Sequence, residues 1–396
     1  MKPPSRPPGG LPPGGEDPGQ RRPEILPLWG RGTAEGGGGG LRRRTLLGGA
    51  LALTACKGRA EEPTPDRGPA PPLKSLASFA VGCSVMTGEL ADPAFSELLT
   101  RHVSQLTPEW EMKMEYILQD DGSFRFDAPD AIAGFARARG MRLYATTLIW
   151  YAQKPAAFER IDGAGAAFAS AYRNYILAVA GRYRGQAVGW DTVNEPVAED
   201  GEGLRECLWS RNLGQEDYMV RAFEHAREAD PDAVLFLNDY NLESLPKKRA
   251  TFMRLVERLL ARGAPLTGLG TQSHIDASLE PGAVATAISE LASFGLPIHV
   301  SELDVSLNRA RKLFSAPEDL RRRQARLYSE AAEAFMALPA RQRFAFTVWG
   351  LRDKDSWLRG DKENPSPPWD EPLLFDDAGR AKPTFWSVAD AFGPRG

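Results

Sequence analysis

Near the middle of the chain lies the sequence Trp190-Asp191-Thr192-Val193-Asn194-Glu195-Pro196. Together with the preceding residues from Ala187, it predicts a short buried strand that stops on an amide and a carboxylate, directly before a proline. A parallel barrel of alternating strands and helices carries its chemically active groups at the carboxyl ends of its strands. This stretch therefore fits one strand end at the rim of such a barrel.

A second stretch has the same form. It reads Ile298-His299-Val300-Ser301-Glu302-Leu303-Asp304, an apolar run that closes on two acids. Enzymes that cleave glycosidic bonds use a pair of carboxylates on either side of the bond. The two stretches together predict such a pair, with Glu195 at one strand end and Glu302 at another.

The region from Phe79 onward alternates between short apolar runs and longer amphipathic ones. Strands are predicted at 79–83, 102–106, 141–148, 187–193, 233–237, 267–271, 297–300 and 344–348, and helices between them at 167–181, 215–229, 245–261 and 317–338. The last helix opens with Ser315-Ala316-Pro317-Glu318, which predicts a capping box with proline in the first turn. Eight strand–helix repeats predict an α/β fold, a single (β/α)8 TIM barrel.

Polar and aromatic side chains follow seven of the eight predicted strands. They lie at 107–113, 149–153, 194–195, 238–241, 272–274, 302–304 and 349–357. Acids can perform catalysis, amides can bind hydroxyl groups, and indoles can stack on the faces of sugar rings. A strand end with one such residue is ordinarily a loop cap, but their collection at one rim indicates a carbohydrate site.

The residues before the barrel divide into three predicted segments. Residues 1–41 are rich in Pro and Gly and are predicted to be disordered. Residues 42–56 combine arginines, a short apolar run and Cys56 in a Leu-Thr-Ala-Cys sequence, which predicts an export signal and lipidation of Cys56. The alternative to an export signal is a disordered basic tail that precedes an apolar patch. The sequence does not determine which start codon is used. Residues 57–73 form a linker, and 74–396 the barrel domain.

Composition limits the other classes of function. The net charge of −3 gives no reason to expect a nucleic acid partner. The four histidines have no metal-ligand spacing, so neither a metal nor a cofactor is predicted. Besides Cys56 the chain has Cys83 and Cys207, and the sequence leaves open whether these two pair.

Several of these motifs resemble those of the glycoside hydrolase family 10 β-xylanases, from about Ser78 to Phe392. The blocks that carry the resemblance are WDTVNEP, SELDV, GLGTQSHI, LFLNDYN, TVWGLRDKDSWL and PLLFDDAGRAKPTFW. The resemblance implies a (β/α)8 barrel with a cleft for β-1,4-xylan, acting within the polysaccharide. It also implies a polysaccharide as the partner. A monomer is expected, and the predicted signal indicates an exported protein, either a membrane-anchored lipoprotein in the periplasm or at the cell surface, or a secreted protein.

The resemblance implies a retaining mechanism carried out by two residues. Glu302 matches the nucleophile that attacks the anomeric carbon, and Glu195 matches the general acid/base. Glu195 must first donate a proton to the departing oxygen and then remove one from water. We expect the negative charge of Glu302 to raise the pKa of Glu195.

Further site residues follow from the same resemblance. His274 and Asp304 match a network that orients the nucleophile, and Asn194 matches the amide that binds the 2-hydroxyl of the reacting sugar. The remaining substrate-binding predictions are Glu109, Lys113, Trp150, Gln153, Asn238, Tyr240, Gln272, Trp349 and Trp357. Of these, Glu109, Lys113 and Gln153 are expected on the glycone side, the non-reducing side of the bond that is cut.

Three positions depart from the family pattern. Trp110 stands where the family usually has a sugar-binding Asn, and Thr146 and Tyr151 stand where it usually has His. The departures keep two alternatives to a xylanase open: a retaining β-glycanase or transglycosylase with a shifted glycone preference, and a surface lipoprotein that binds glycans without cleaving them.

Overall fold

The computed structural model describes residues 67–307, 309, 315–360 and 369–393. The predicted disordered segment 1–41, the predicted signal 42–56 with Cys56, and positions 57–66 of the predicted linker lie outside the described residues. The described chain begins at Arg67. Its guanidinium forms an ion pair with Asp390, which lies near the carboxyl-terminal end of the described chain. Leu73 is the first buried apolar side chain after Arg67.

Eight parallel strands form a closed barrel in the described part of the chain. They are β1 (Ala80–Val85), β2 (Gln105–Pro108), β3 (Arg142–Ala145), β4 (Ala187–Asn194), β5 (Val234–Asp239), β6 (Gly268–Thr271), β7 (Ile298–Ser306) and β8 (Arg343–Val348). Each strand pairs with the next in the chain, and β8 pairs with both β7 and β1, which closes the sheet. Two short strands extend the rim, Ile149–Trp150 beside β4 and His274–Asp276 beside β7. The predicted TIM barrel is confirmed.

Helices surround the barrel and supply the outer half of its core. They are α1 (Leu73–Leu76), α2 (Thr87–Leu90), α3 (Pro93–His102), α4 (Met114–Ile117), α5 (Asp127–Ala138), α6 (Ala156–Glu159), α7 (Ala166–Arg182), α8 (Leu208–Leu213), α9 (Asp217–Ala229), α10 (Pro246–Ala261), α11 (Ala283–Ala292), α12 (Pro317–Ala337) and α13 (Pro383–Phe392). Short 3-10 turns lie at Ala340–Gln342, Asp353–Asp355 and Trp357–Arg359. Apolar helix faces pack on the outward side chains of the strands in one continuous core.

The amino-terminal half of the barrel interior is filled by aromatic rings. Tyr144, Phe236, His299 and Phe344 contact one another there, with the Tyr144 and His299 ring centroids 4.3 Å apart. Glycine is required opposite them, because a Cβ on Gly268 would lie 2.5 Å from the Phe236 ring. The filled interior leaves the carboxyl ends of the strands as the open face of the barrel.

Two details of the sequence prediction change in the structure. The strand predicted from His102 begins only at Gln105, because His102 ends α3, where its buried ring accepts a hydrogen bond from the Leu73 amide. Burial lowers the pKa of His102 to about 4, so the ring is neutral and can accept this bond. The capping box at Ser315 is wrong, since Ala316 precedes Pro317 at the start of α12 and no side chain caps the helix.

Cysteine pairing is also decided by the fold. Cys83 lies on β1 and Cys207 precedes α8, and both are buried and free. In the described part of the chain, every helix is too short or too polar to cross a bilayer.

Candidate active site

Both predicted catalytic carboxylates lie at the carboxyl end of the barrel. Glu195 directly follows β4, and Glu302 lies within β7, four residues before its last residue. Glu195 has a left-handed backbone with φ of +56°, as do Asn241 and Ser273 after β5 and β6. A left-handed non-glycine residue is unfavourable and persists where its surroundings fix it, often at functional sites.

Glu195 is buried and accepts hydrogen bonds on both oxygens. Trp150 donates its indole N–H to Oε2 over 2.7 Å. Gln272 and Asn194 donate their amide groups to Oε1 over 2.9 and 3.3 Å. These donors come from the rim after β3, β4 and β6, so three strand ends together set the position of one carboxylate.

The pKa of Glu195 is raised, as predicted, but for a different reason. Burial is the largest cause, and the negative charge of Asp239 adds to it. Hydrogen bonds from Gln272 and Trp150 and the charge of Arg205 oppose the rise without cancelling it. Burial therefore dominates the rise, and Asp239 is the acidic side chain that contributes most; an additional effect of Glu302 stays a prediction.

Glu302 lies in a different environment. Asn238 donates its amide to Oε1 over 3.1 Å, and Nε2 of His274 is 3.3 Å from Oε2. The other ring nitrogen of His274 is 2.9 Å from Asp304, which also accepts the indole N–H of Trp357 over 2.8 Å. The structure thus brings together the His274–Asp304 pair that the sequence placed behind the nucleophile.

His274 carries a positive charge between these two acids. Burial opposes that charge, but Asp304 and then Glu302 outweigh burial and raise the pKa of His274 to about 10. Glu302 therefore has a cationic ring beside its Oε2 oxygen. The pair of glutamates is thereby divided into one group beside a cation and one whose proton is held more tightly.

Amide groups link the two carboxylates. Oδ1 of Asn194 accepts from the side-chain amides of Gln272 and Asn238, each over 3.2 Å. Gln272 also donates to Glu195, and Asn238 also donates to Glu302. One chain of side-chain hydrogen bonds therefore connects the predicted acid/base with the predicted nucleophile.

Comparison with known proteins decides the family. The profile of Glycosyl hydrolase family 10 matches residues 73–391. The chain belongs to this family. Family 10 relatives include endo-1,4-beta-xylanase B of Paenibacillus barcinonensis, which is 35% identical over 322 residues, covering 78% of this chain and 95% of the relative.

Two further family 10 proteins are similar to this chain. An exoglucanase of Acetivibrio thermocellus is 33% identical over 325 residues; the match covers 79% of this chain, and this chain spans 28% of the length of that protein. A solved structure of a thermostable mutant xylanase from Cellvibrio japonicus superposes with a TM-score of 0.73 at 30% identity, covering 82% of this chain and all of the other.

Lys113, which is predicted on the glycone side, has its ammonium group within a cluster of indoles. Nζ of Lys113 lies 4.8 Å from the ring centroid of Trp150, 5.5 Å from that of Trp110 and 5.8 Å from that of Trp349. Indole faces attract cations at these distances. Trp110, which stands in place of the usual family 10 Asn, therefore makes a cation–π contact with the predicted substrate-binding residue Lys113.

Glu109 and Gln153 are the other two residues predicted on the glycone side. Oε2 of Glu109 is 3.5 Å from the Ser84 hydroxyl. Gln153 is buried, and its Oε1 lies 3.4 Å from the Glu115 amide. Among the described residues, the side-chain NH₂ of Gln153 has no hydrogen-bond partner. A buried amide without a partner is costly unless a ligand or water bonds it.

The two positions where family 10 usually has His, Thr146 and Tyr151, have different surroundings. Thr146 is buried, and its hydroxyl bonds Asp191, whose pKa is raised to about 7 by burial and then by the charge of Glu302. The ring of Tyr151 lies 4.0 Å beneath the guanidinium of Arg205. Neither position reproduces an imidazole.

Tyr240 is part of a charged cluster rather than a free ring. Its hydroxyl donates to Glu199 over 2.5 Å and accepts from Arg205 over 2.6 Å. The ammonium group of Lys248 lies 3.4 Å from the centroid of its ring and 3.0 Å from Asp239. The hydroxyl of Tyr240 is thus already hydrogen-bonded within the protein.

Sequence reasoning missed several residues of the site. Asp239, which acts on the pKa of Glu195, lies within the LFLNDYN block and could have been selected there. Arg205 and Trp209 do not directly follow a predicted strand, so the sequence pattern did not select them. The indole N–H of Trp209 nevertheless donates a hydrogen bond to the backbone carbonyl of Trp150 over 2.9 Å. Within the described ranges, three or more side chains that could hold a metal ion together do not occur.

Proposed function

We propose that this chain hydrolyses β-1,4-xylosidic bonds within xylan, with retention of configuration at the anomeric carbon. The observation that carries the proposal is the pair of glutamates at the ends of β4 and β7 in opposite electrostatic environments. Glu195 has a raised pKa through burial, whereas Glu302 contacts the His274 cation. A carboxyl group with a raised pKa is suited to act as the acid, and a carboxyl group bonded by a cation and an amide is suited to act as the nucleophile.

In the first proposed step, Glu302 attacks the anomeric carbon while Glu195 protonates the departing glycosidic oxygen. The bond to the leaving sugar breaks, and an ester between Glu302 and the remaining sugar forms. Asn238 and His274 bond the two oxygens of Glu302, which orients one of them towards the substrate. Asn194 is positioned at the same end of the barrel to bind the 2-hydroxyl group.

In the second proposed step, Glu195 accepts a proton from water, and that water attacks the anomeric carbon. The ester to Glu302 breaks, and both carboxyl groups return to their starting states. Hydrogen bonds from Trp150 and Gln272 favour the ionised form of Glu195 that this step requires. The proposed cycle needs no metal or cofactor.

A substrate panel tests the proposal. We expect the purified protein to release reducing sugars from xylan and xylo-oligosaccharides, and more slowly or not at all from β-1,4-glucan and β-mannan. Proton NMR of the first product should show the β-anomer before mutarotation. Release of the α-anomer first, or no release from any xylan, would contradict the proposal.

A second candidate function is a retaining β-glycanase or transglycosylase with a shifted glycone preference. The observation that favours it is Trp110, whose indole occupies the position of a hydrogen-bonding amide and leans over Lys113. A glycan-binding protein without activity is disfavoured, because Glu195 and Glu302 each keep a set of hydrogen-bond donors. The same panel separates these functions by which glycan is cleaved, and by whether transfer products appear.

We also propose that the protein is an exported monomer anchored by a lipid on Cys56. The support is the arginine-rich start, the apolar run and the Leu-Thr-Ala-Cys sequence at residues 53–56. The proposed partner is a polysaccharide, xylan, rather than a nucleic acid, and contact with a membrane would occur only through the anchor.

A further inference from the structure

Gln272 connects the two catalytic glutamates by two different groups. Its side-chain amide donates to Oε1 of Glu195 over 2.9 Å, and its backbone carbonyl accepts from the amide of Glu302 over 3.1 Å. A small rotation of the Gln272 backbone would therefore displace both carboxylates at once.

The backbone at this point is unfavourable by itself. Ser273, the next residue, has φ of +60°, a left-handed conformation that costs free energy for a residue with a Cβ. Ser273 also separates Gln272 from His274, which contacts Glu302. The position of two catalytic contacts thus depends on one strained residue, and something must hold it.

Glu243 is the group that holds this turn. Its Oε1 accepts from the hydroxyl of Thr271 over 2.5 Å and from the hydroxyl of Ser273 over 2.6 Å. These two residues lie on either side of Gln272 in the chain. Glu243 is 2% exposed, so water cannot easily replace the two bonds.

We propose that Glu243 is a positioning residue. By accepting hydrogen bonds from the hydroxyls on both sides of Gln272, it keeps Gln272 in contact with Glu195. It keeps His274 in contact with Glu302 in the same way. It comes from the loop between β5 and α10, so it reaches the end of β6 from the neighbouring β/α unit. This role rests on the function proposed above and adds a residue that contacts neither substrate nor reacting atoms.

Two substitutions of Glu243 test the role. Glu243→Ala removes the acceptor, and we expect kcat to fall by roughly tenfold to a hundredfold, the size typical of misplaced catalytic groups. KM for xylo-oligosaccharides should change by less than about threefold, because the more distant sugar contacts remain. Glu243→Gln keeps an acceptor oxygen for both hydroxyls and should retain a kcat near that of the wild type.

A second substitution separates positioning from loss of stability. Ser273→Gly allows a positive φ without a Cβ penalty and removes one hydroxyl that needs an acceptor. Added to Glu243→Ala, it should restore kcat by at least about threefold. Glu330→Ala is the matched control, because Glu330 also accepts two hydrogen bonds, from the amides of Gly282 and Ala285 at α11, away from the site. It should lower the unfolding temperature and leave kcat unchanged.

The possible outcomes distinguish this inference from the proposed function. An unchanged kcat in Glu243→Ala, or no recovery on adding Ser273→Gly, overturns the positioning role. If the wild type itself cleaves no xylo-oligosaccharide, the proposed function fails instead. The role of Glu243 is then decided by a crystal structure of Glu243→Ala, in which a Ser273 that keeps its positive φ overturns the inference.

Discussion

At the residue scale, the two glutamates have the same side chain but very different surroundings. Glu195 is buried, and the negative charge of Asp239 acts on it. Both effects raise the free energy of its charged form and therefore its pKa. Glu302 lies against an imidazolium whose own charge is maintained by Asp304. No charge on the substrate is needed to create this difference, because both environments are complete in the protein alone.

Removing either glutamate should give a distinct kinetic result. Glu302→Ala should abolish hydrolysis with the fold intact, because we place no other rim carboxylate where the anomeric carbon is attacked. Glu195→Ala should keep slow turnover of aryl glycosides whose leaving groups need little protonation. Azide added to Glu195→Ala should raise the rate and yield a β-glycosyl azide, identified by NMR. An α-glycosyl azide would show that Glu195 is not the acid/base of a retaining enzyme.

The charge of His274 should make stability depend on pH. Its pKa is raised from 6.5 to about 10 in the folded protein, so the folded state binds the proton more tightly than the unfolded state. This contribution is complete below the unfolded pKa and is lost as the pH rises through the folded one. The unfolding temperature of His274→Gln should therefore fall furthest below that of the wild type near about pH 6, and least near about pH 10. A gap that widens towards high pH would contradict the assignment.

At the element scale, the loops after β2 and β3 distinguish this site from the family pattern. The loop after β2 brings Trp110 over Lys113, and the segment after β3 supplies Thr146 and Tyr151. An indole offers one N–H donor and no acceptor, and a threonine hydroxyl reaches less far than an imidazole. We therefore predict that the glycone side exchanges hydrogen bonds for a stacking surface.

Restoring the family residues should improve action on plain xylo-oligosaccharides. Each lost neutral hydrogen bond is worth about 0.5–1.5 kcal/mol, so two correspond to roughly fivefold to a hundredfold in kcat/KM. We expect Trp110→Asn combined with Thr146→His to raise kcat/KM, most for substrates that extend furthest on the glycone side. Wild-type Trp110 should instead favour a bulkier or substituted glycone by stacking.

The design of that experiment needs a control at a third position. Tyr151→His restores the other family residue but lies beneath Arg205, apart from the Lys113 cluster. It should therefore affect glycone length dependence less than the double reversion does. If the double reversion leaves kcat/KM unchanged or lower on every xylo-oligosaccharide, Trp110 and Thr146 do not tune the glycone side.

At the scale of the whole molecule, one barrel holds every described residue of the site. Its aromatic lower interior and its ring of helices form a rigid support, and the catalytic groups come from the ends of several strands. The export signal and lipid anchor proposed above concern location rather than catalysis. The barrel should therefore act in the same way whether it is anchored or free.

Location can be tested through Cys56. If Cys56 is the lipidated first residue of the mature protein, the wild type should sediment with membranes and Cys56→Ser should be released into the soluble fraction. Xylanase activity measured in each fraction reports both proteins without a tag. Wild-type protein found soluble in the cytoplasm with its first fifty or so residues attached would disprove the anchor.

Local pattern was enough to predict the barrel, because each strand and helix is specified by its own apolar period and the strand ends by their polar residues. The motifs around Glu195 and Glu302 identified both glutamates before any contact was known. His274, Asp304 and Gln272 were selected through the resemblance to family 10. The structure places His274 against Glu302, Asp304 against His274 and Gln272 against Glu195. The error at His102 has the same origin, since an apolar run cannot show where a helix stops and a strand begins.

Contacts between distant parts of the chain were decided only by the tertiary structure. The sequence could not show that burial is the main cause of the raised pKa of Glu195, with a contribution from Asp239, because burial and distance exist only after folding. Nor could it show that Arg205 covers Tyr151, or that Glu243 holds the turn beside Gln272. A residue type fixes which bonds a side chain can make, whereas the closed barrel fixes which partners it meets and how much water remains there.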